Sequence, residues 1–220
     1  MKEAIGAVLP LGVVVSISPI PIIAVVLMLA TPRARLNGPA FVLGWIIGLG
    51  ALGTLILLLS SGADASEDGE PAGWVAWLKL ALGVLSLLVA FRQWRGRHAA
   101  KEEPKWMHAI DEFTPVKALG MAVLLSAVNP KNLLLTVAAA AAIAETGISG
   151  GEQELALAVF VVIGTLGPGI PVALYFLMGK RSERMLEGLK SWMTTNNAAI
   201  MAVLMLVIGA KLLGDGLAGL

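Results

Sequence analysis

Two short stretches of this 220-residue chain place prolines and hydrogen-bonding side chains inside otherwise apolar sequence. They contain Ser16, Ser18, Pro19 and Pro21 in the first stretch, and Asn129, Pro130, Lys131 and Asn132 in the second. Ser and Asn are strong N-caps and proline suits the first helical position, so Ser-Pro and Asn-Pro each predict a helix that begins at the proline. A helix N-terminus offers backbone N–H groups and a positive dipole end. The two stretches therefore predict a pocket that favours anions.

Lys131 strengthens this prediction because it stands near the middle of a long apolar segment. At the rise of an α-helix, roughly 20 Å of helix lies on either side of it, too far for the lysine stem to reach water. A lysine at the centre of a bilayer costs at least about 2.5 to 3.5 kcal/mol on insertion scales. The apolar segments contain no Asp or Glu, so we expect the Lys131 ammonium to face backbone carbonyls, Asn129, Asn132, serines or a ligand anion.

The elements that must position these residues are transmembrane helices. The chain is 57% apolar and 14% charged, whereas soluble domains are roughly 45–50% apolar and about 25% charged. Segments long enough to span a bilayer cover residues 4–30, 36–60, 72–91, 116–144, 155–178 and 197–213. We predict an all-α integral membrane protein of six helices, with the first and fourth broken at mid-membrane. The first segment is too long and too rich in proline for a signal peptide, so we expect it to be retained.

The basic residues predict the orientation of these helices. Twelve of the 16 Lys and Arg residues lie in the first, third and fifth loops, and the second and fourth loops hold acidic residues instead. Because basic loops stay in the cytoplasm, we predict a plasma-membrane protein with both termini outside. Lys79 and Lys211 stand near outer helix ends, where we expect them to snorkel to water. Apolar residues at helical spacing in the third and fifth loops predict two short interfacial helices, one including Trp106, Met107, Ile110 and Phe113 and the other Met185, Leu186, Leu189, Trp192 and Met193.

The two proline-containing stretches also suggest a duplication. Aligning Pro19 with Pro130 places Ser18 on Asn129 at an offset of 111 residues, about half of the chain. Three spans per half would invert the second copy, as in many secondary transporters. We therefore predict one transmembrane domain over residues 1–220, with a first repeat at 1–93, a cytoplasmic linker at 94–114 and a second repeat at 115–220.

Small residues and prolines in the second and fifth segments have two interpretations. Gly-rich faces let helices pack closely, which is the interpretation we favour. The alternative is a flexible hinge beside a transport pathway, for which the residues are Trp45, Thr165, Gly167, Pro168 and Pro171.

Other functional classes lack their residues in the sequence. The chain has no cysteine, and its two histidines, His98 and His108, lie in a loop without metal-ligand spacing. It has no P-loop and no GxSxG motif, and a net charge of +1 gives no general attraction to nucleic acid. We therefore expect no enzyme activity, no cofactor, no metal site and no nucleic-acid partner.

The motifs SPIPIIAVVLML, PRARLNGPAFVLGW, PKWMHAIDEFTPVKALG, SAVNPKNLLLTVAAAAAI and NNAAIMAVLMLVIGAKLLGDGL together resemble the GAP (Sap) family of peptidoglycolipid- and sulfolipid-addressing proteins. That family is part of the LysE superfamily of small six-span transporters with 3+3 inverted architecture. The resemblance covers nearly the whole chain and implies an actinobacterial inner-membrane protein that helps to carry envelope glycolipids. By motif position it implies a translocation site formed by Ser18, Pro19, Pro21, Asn129, Pro130, Lys131 and Asn132.

The sequence departs from other branches of that superfamily. Pro19-Ile20-Pro21 stands where the amino-acid exporters carry a Pro-Gly-Pro type of motif, and the carboxylates, histidines and paired cysteines of the metal and disulfide-relay branches are missing. We therefore expect an exporter of a cell-envelope glycolipid or another amphiphile with an anionic headgroup. The alternatives are a non-transporting scaffold of a lipid-export complex and a small amino-acid exporter. Expected partners are membrane lipids, the lipid or small-molecule substrate, lipid-synthesis or export machinery and, at the level of the superfamily, a second copy in a homodimer.

Overall fold

The structure is a computed structural model that describes residues 1–62, 66–67, 70–71, 73–97, 110–179 and 181–220. Its α-helices are α1 (Lys2–Ser16), α2 (Pro19–Leu29), α3 (Ala34–Gly62), α4 (Gly73–Arg95), α5 (Pro115–Val123), α6 (Pro130–Ala144), α7 (Gly150–Met178) and α8 (Arg181–Ala218). A 3-10 turn covers Ile110–Glu112 and a π-helical turn covers Leu124–Val128. Two short strands, β1 (Ser66–Glu67) and β2 (Glu70–Pro71), pair in antiparallel fashion.

The helices confirm the all-helical prediction and include several candidate membrane spans. Helices α3, α4, α7 and α8 are each long and apolar enough to cross a membrane. The remaining apolar sequence forms two bent pairs, α1–α2 with a bend of 51° and α5–α6 with a bend of 62°. The described residues thus hold four candidate spans, or six when each bent pair counts as one. Both bends occur where proline was expected to start a new helix.

Each half-helix that precedes a break packs against a long helix from the other half of the chain. Helix α1 packs against α7, α5 packs against α3, and α4 and α8 form a third close pair. Glycines make the first two approaches possible. A Cβ atom at Gly167 would lie 2.0 Å from the carbonyl oxygen of Ser16, and one at Gly44 would lie 2.3 Å from that of Leu119. Neither position can hold a larger residue unless the helices move apart.

The structure corrects one of the two expectations about interfacial helices. Helix α8 continues without interruption from Arg181 to Ala218, so the stretch around Met185 and Trp192 is not a separate interfacial helix. It belongs to the same rod as the last span because no proline or glycine cap separates them. Of the other expected interfacial helix, Trp106 and Met107 lie outside the described residues, and Ile110 is buried in the 3-10 turn.

Lys79 also differs from expectation. Its side chain is only 10% exposed and forms an ion pair with Glu145, with Nζ 2.6 Å from Oε1. The prediction that Lys79 snorkels to water is therefore wrong, because Glu145 immediately follows α6 and brings a carboxylate to it. Lys211 keeps about a third of its side chain exposed and pairs with Asp215 one helical turn later.

Candidate substrate site at two helix breaks

The two helix breaks meet through Lys131, the second residue of α6. Its ammonium donates hydrogen bonds to the backbone carbonyl of Val14, at 2.9 Å, and to the hydroxyl of Ser18, at 2.6 Å. Lys131, Ser18 and Asn132 are buried, with relative exposures of 6%, 4% and 1%. The structure therefore brings together residues that are more than 110 positions apart in the sequence. Lys131 faces protein, as its cost in lipid requires.

The carbonyl of Val14 is available because the helix breaks just after it. In an uninterrupted helix it would accept from the N–H of Ser18. That N–H instead bonds the carbonyl of Val15, and the next residue, Pro19, has no N–H. The Lys131 ammonium takes the vacant place at the C-terminal end of α1. A cation is favoured there because the carbonyls carry the negative end of the helix dipole.

At the second break, too, a backbone carbonyl loses its helical donor at a proline and accepts from a side chain instead. In a π turn, each N–H bonds the carbonyl five residues earlier, and the residue five positions after Leu125 is Pro130. The Leu125 carbonyl accepts instead from the Asn132 side-chain amide, at 2.9 Å. Val14 and Leu125 thus occupy equivalent places, each five residues before the proline that starts the next helix.

This arrangement is not symmetric, however. Both vacant carbonyls are bound by side chains from the first turn of α6. At the offset of 111, the positions equivalent to Lys131 and Asn132 in the first half are Ile20 and Pro21, neither of which has a side-chain donor. The second half therefore supplies the hydrogen bonds that close both breaks.

The two predicted N-caps behave differently. The Asn129 side chain accepts from the N–H of Lys131, at 3.1 Å, as predicted. Ser18 has the extended backbone of an N-cap, but its side chain makes no capping hydrogen bond. Its hydroxyl donates to the Val15 carbonyl, at 2.5 Å, and accepts from Lys131. The prediction of a Ser18 side-chain cap is wrong because the hydroxyl turns back to α1.

The expected row of free amides at these helix starts is also incomplete. Pro19 and Pro21 lack N–H groups, so only Ile20 among the first three residues of α2 carries one. In α6, Pro130 lacks an N–H and that of Lys131 is bound by Asn129. Over the first three residues of both helices, prolines therefore remove three of the six N–H groups, and Asn129 binds a fourth. The main positively charged group at the junction is the Lys131 side chain.

The residues predicted as a hinge or pathway lie beside this cluster, in contacts between α3, α7 and α1. Trp45 is buried and donates its Nε1–H to the carbonyl of Gly164, at 3.1 Å. That carbonyl would pair with residue 168 in a regular helix, and residue 168 is a proline. The Thr165 hydroxyl bonds the Val161 carbonyl, at 2.7 Å.

Helix α7 is continuous through Pro168 and Pro171, both of which are buried. The Ser16 hydroxyl bonds the Val13 carbonyl within α1, and Pro21 is buried in α2. A hinge in α7 stays a prediction, and the contacts described above are those of helix packing.

Sequence reasoning missed the two backbone acceptors, Val14 and Leu125. Their residue types carry no signal, but their position five residues before the proline of a Ser-Pro or Asn-Pro pair would have found them. Within the described ranges, no group of three or more His, Asp or Glu side chains is arranged to hold a metal ion.

Comparison with known proteins gives one family match for this chain. The model of the family described as SfLAP: Sap, sulfolipid-1-addressing protein, matches residues 8–218, which include both helix breaks and all the residues of the cluster. No match was found among curated proteins or among solved structures.

Proposed function

The chain belongs to the Sap (sulfolipid-1-addressing protein) family, and we propose that it is an inner-membrane exporter of an envelope amphiphile with an anionic headgroup. The observation that carries the proposal is the buried Lys131, which bonds a carbonyl and a hydroxyl. No carboxylate among the described residues pairs with it. An anionic headgroup would supply the negative partner that the protein does not.

The partners of Lys131 suggest how such a headgroup would act. Its oxygens are better acceptors for an ammonium than a neutral carbonyl or hydroxyl. They would replace Val14 and Ser18 as the partners of Lys131 and so free the C-terminal end of α1 from α6. The described conformation, with the ammonium bound to protein, then corresponds to the carrier without substrate.

The packing of the helices suggests the larger movement. The pairs α1–α7 and α5–α3 join each broken helix to a long helix of the other half. The equivalent places of Val14 and Leu125 support a 3+3 inverted repeat of the kind found in the LysE superfamily. In such carriers, access alternates when one repeat rocks against the other around a fixed site. The proposed site lies where the two breaks meet.

Reconstituted vesicles that contain only this protein test the proposal. We expect outward movement of a fluorescent sulfated glycolipid, and a Lys131→Met variant should move it at least about tenfold more slowly, as expected for the loss of a hydrogen bond to a charged group. Lys117→Met is the matched control because Lys117 is exposed on α5, in the same bent pair. It should keep the wild-type rate.

Two outcomes would contradict the proposal. Wild-type flux by a well-folded Lys131→Met variant would make the lysine a structural bridge only. Wild-type protein that moves no anionic lipid would favour the accessory scaffold, for which the filled hydrogen bonds of the cluster are sufficient. Flux of small amino acids in the same vesicles tests the third function that the sequence left open.

A further inference from the structure

An open apolar groove lies between α4 and α8, away from the cluster around Lys131. Its volume is about 390 Å³, and its lining includes Leu87, Phe91 and Trp94 from α4 and Val203 and Leu206 from α8. Phe91, Trp94, Val203 and Leu206 are between 48% and 61% exposed. The groove therefore offers an acyl chain a continuous apolar surface on the outside of the helix bundle.

The residues at the contact explain why a groove forms here. On one side of it the two helices approach through glycines: a Cβ at Gly209 would lie 2.7 Å from Leu87, and one at Gly216 would lie 2.8 Å from Leu80. On the other side, the facing residues in the groove are Ala90 and Ala202, both buried. Small side chains there leave space between the helices that larger residues would fill.

Arginines stand at the end of the same groove. The Arg95 guanidinium lies 5.6 Å from the centre of the Phe91 ring, and that of Arg97 lies 4.0 Å from the centre of the Trp94 ring. Arg92, Arg95 and Arg97 are all exposed. Two of the aromatic rings that line the groove therefore carry a cationic group over them. Apolar surface followed by guanidinium groups matches the order of groups in an anionic lipid.

We propose that this groove binds an anionic phospholipid, with one acyl chain between α4 and α8 and the phosphate at Arg95 and Arg97. Arginine suits the phosphate because its planar fork donates two parallel hydrogen bonds. The sequence predicts that this end faces the cytoplasm, where anionic lipids attract basic residues next to a membrane helix. A second copy of the chain is a poorer occupant. A twofold interface on this face would bring the same arginines together.

The proposal is tested with a fluorescent label in the groove. The chain has no cysteine, so a bimane label on Leu206→Cys reports on this position alone. Labelled protein is placed in nanodiscs with increasing fractions of brominated phosphatidylglycerol or brominated phosphatidylcholine. We expect the anionic lipid to quench the label at a several-fold lower fraction than the zwitterionic lipid. Replacing both Arg95 and Arg97 by Gln should abolish this preference, because each arginine beside an anionic lipid surface contributes about fivefold.

The control removes the same charge elsewhere. Arg33 and Arg35 are exposed at the start of α3, at another end that is predicted to be cytoplasmic, and the Arg33→Gln/Arg35→Gln variant should keep the full preference. The Arg95→Lys/Arg97→Lys variant keeps both charges and should keep most of the preference for the anionic lipid. It separates the loss of charge from any effect that substitution at these two positions has on folding.

Three results would overturn the proposal. The first is equal quenching by the two lipids, and the second is a preference for the anionic lipid that survives the Gln substitutions. The third is a combined result: neither lipid quenches the label, and unlabelled Leu206→Cys chains form disulfides with each other. The last result would assign the groove to a second copy. None of these readouts depends on transport.

Discussion

Gly167 is the position at which a single methyl group should disturb both the packing of α1 and the cluster around Lys131. A Cβ there would lie 2.0 Å from the carbonyl oxygen of Ser16, whereas ordinary contacts begin at 3.4 Å. Gly167→Ala therefore requires the end of α1 to move by about 1.4 Å relative to α7. The atom that obstructs the methyl group belongs to the backbone, so no side-chain rotation can relieve the contact.

The cost follows from two opposing effects. Overpacking a close contact costs about 1–3 kcal/mol, and replacing glycine by alanine within a helix returns about 0.5–1 kcal/mol. We expect a net loss of about 1–2 kcal/mol, which lowers the melting temperature by roughly 2–8 °C for a chain of this size. The shift also affects Lys131. Its 2.9 Å bond to Val14 would exceed the hydrogen-bond range if α1 moved away from α6 by the same distance.

Thermal unfolding of the detergent-purified protein measures this effect, and Gly169→Ala is the control. Gly169 lies two residues further along α7, and the nearest atom to a Cβ there is a methyl carbon of Thr165 at 3.9 Å. Gly169→Ala should be neutral or slightly stabilising. If Gly167→Ala were as stable as Gly169→Ala, the close approach of α1 and α7 would be wrong.

The remaining predictions concern two contacts that the sequence did not reveal. Trp45→Phe keeps an aromatic ring but leaves the Gly164 carbonyl without a donor, so we expect a loss of about 1–2 kcal/mol in stability. Adding Pro168→Ala restores a backbone N–H to that carbonyl and should recover part of the lost stability. A double variant no more stable than Trp45→Phe would contradict the role of this hydrogen bond. Lys79→Met leaves the Glu145 carboxylate, whose side chain is 16% exposed, without its partner and should cost about 3 kcal/mol. Lys79→Met with Glu145→Gln should be closer to wild type in the same melting assay. Equal melting temperatures for these two variants would show that the unpaired carboxylate carries no cost.

The sequence was sufficient to predict those features that depend on local chemistry. The Ser-Pro and Asn-Pro pairs located the breaks before Pro19 and Pro130. Pro168 and Pro171, which have no Ser or Asn before them, lie within the continuous helix α7. The cost of a lysine in lipid was enough to predict that Lys131 faces protein.

Features that depend on the relative placement of distant helices were not predictable in the same way. Whether Ser18 would cap α2 or turn back to α1 is determined by the arrival of Lys131 from 113 residues away. The partner of Lys79 was likewise hidden, because Glu145 stands just beyond the apolar segment in which an acidic residue was sought.

The asymmetry of the cluster constrains how a carrier of this design could work. Lys131 and Asn132 are adjacent on α6, yet they bind carbonyls on opposite sides of the junction, Val14 on α1 and Leu125 on the π turn. An anionic headgroup competes for the cationic Lys131 much more strongly than for the neutral amide of Asn132. Binding should therefore release α1 while the Asn132 amide stays bound to Leu125. We expect the two broken helices to move in sequence, with α1 first, even though both breaks precede a proline and leave the carbonyl five residues earlier to a side chain.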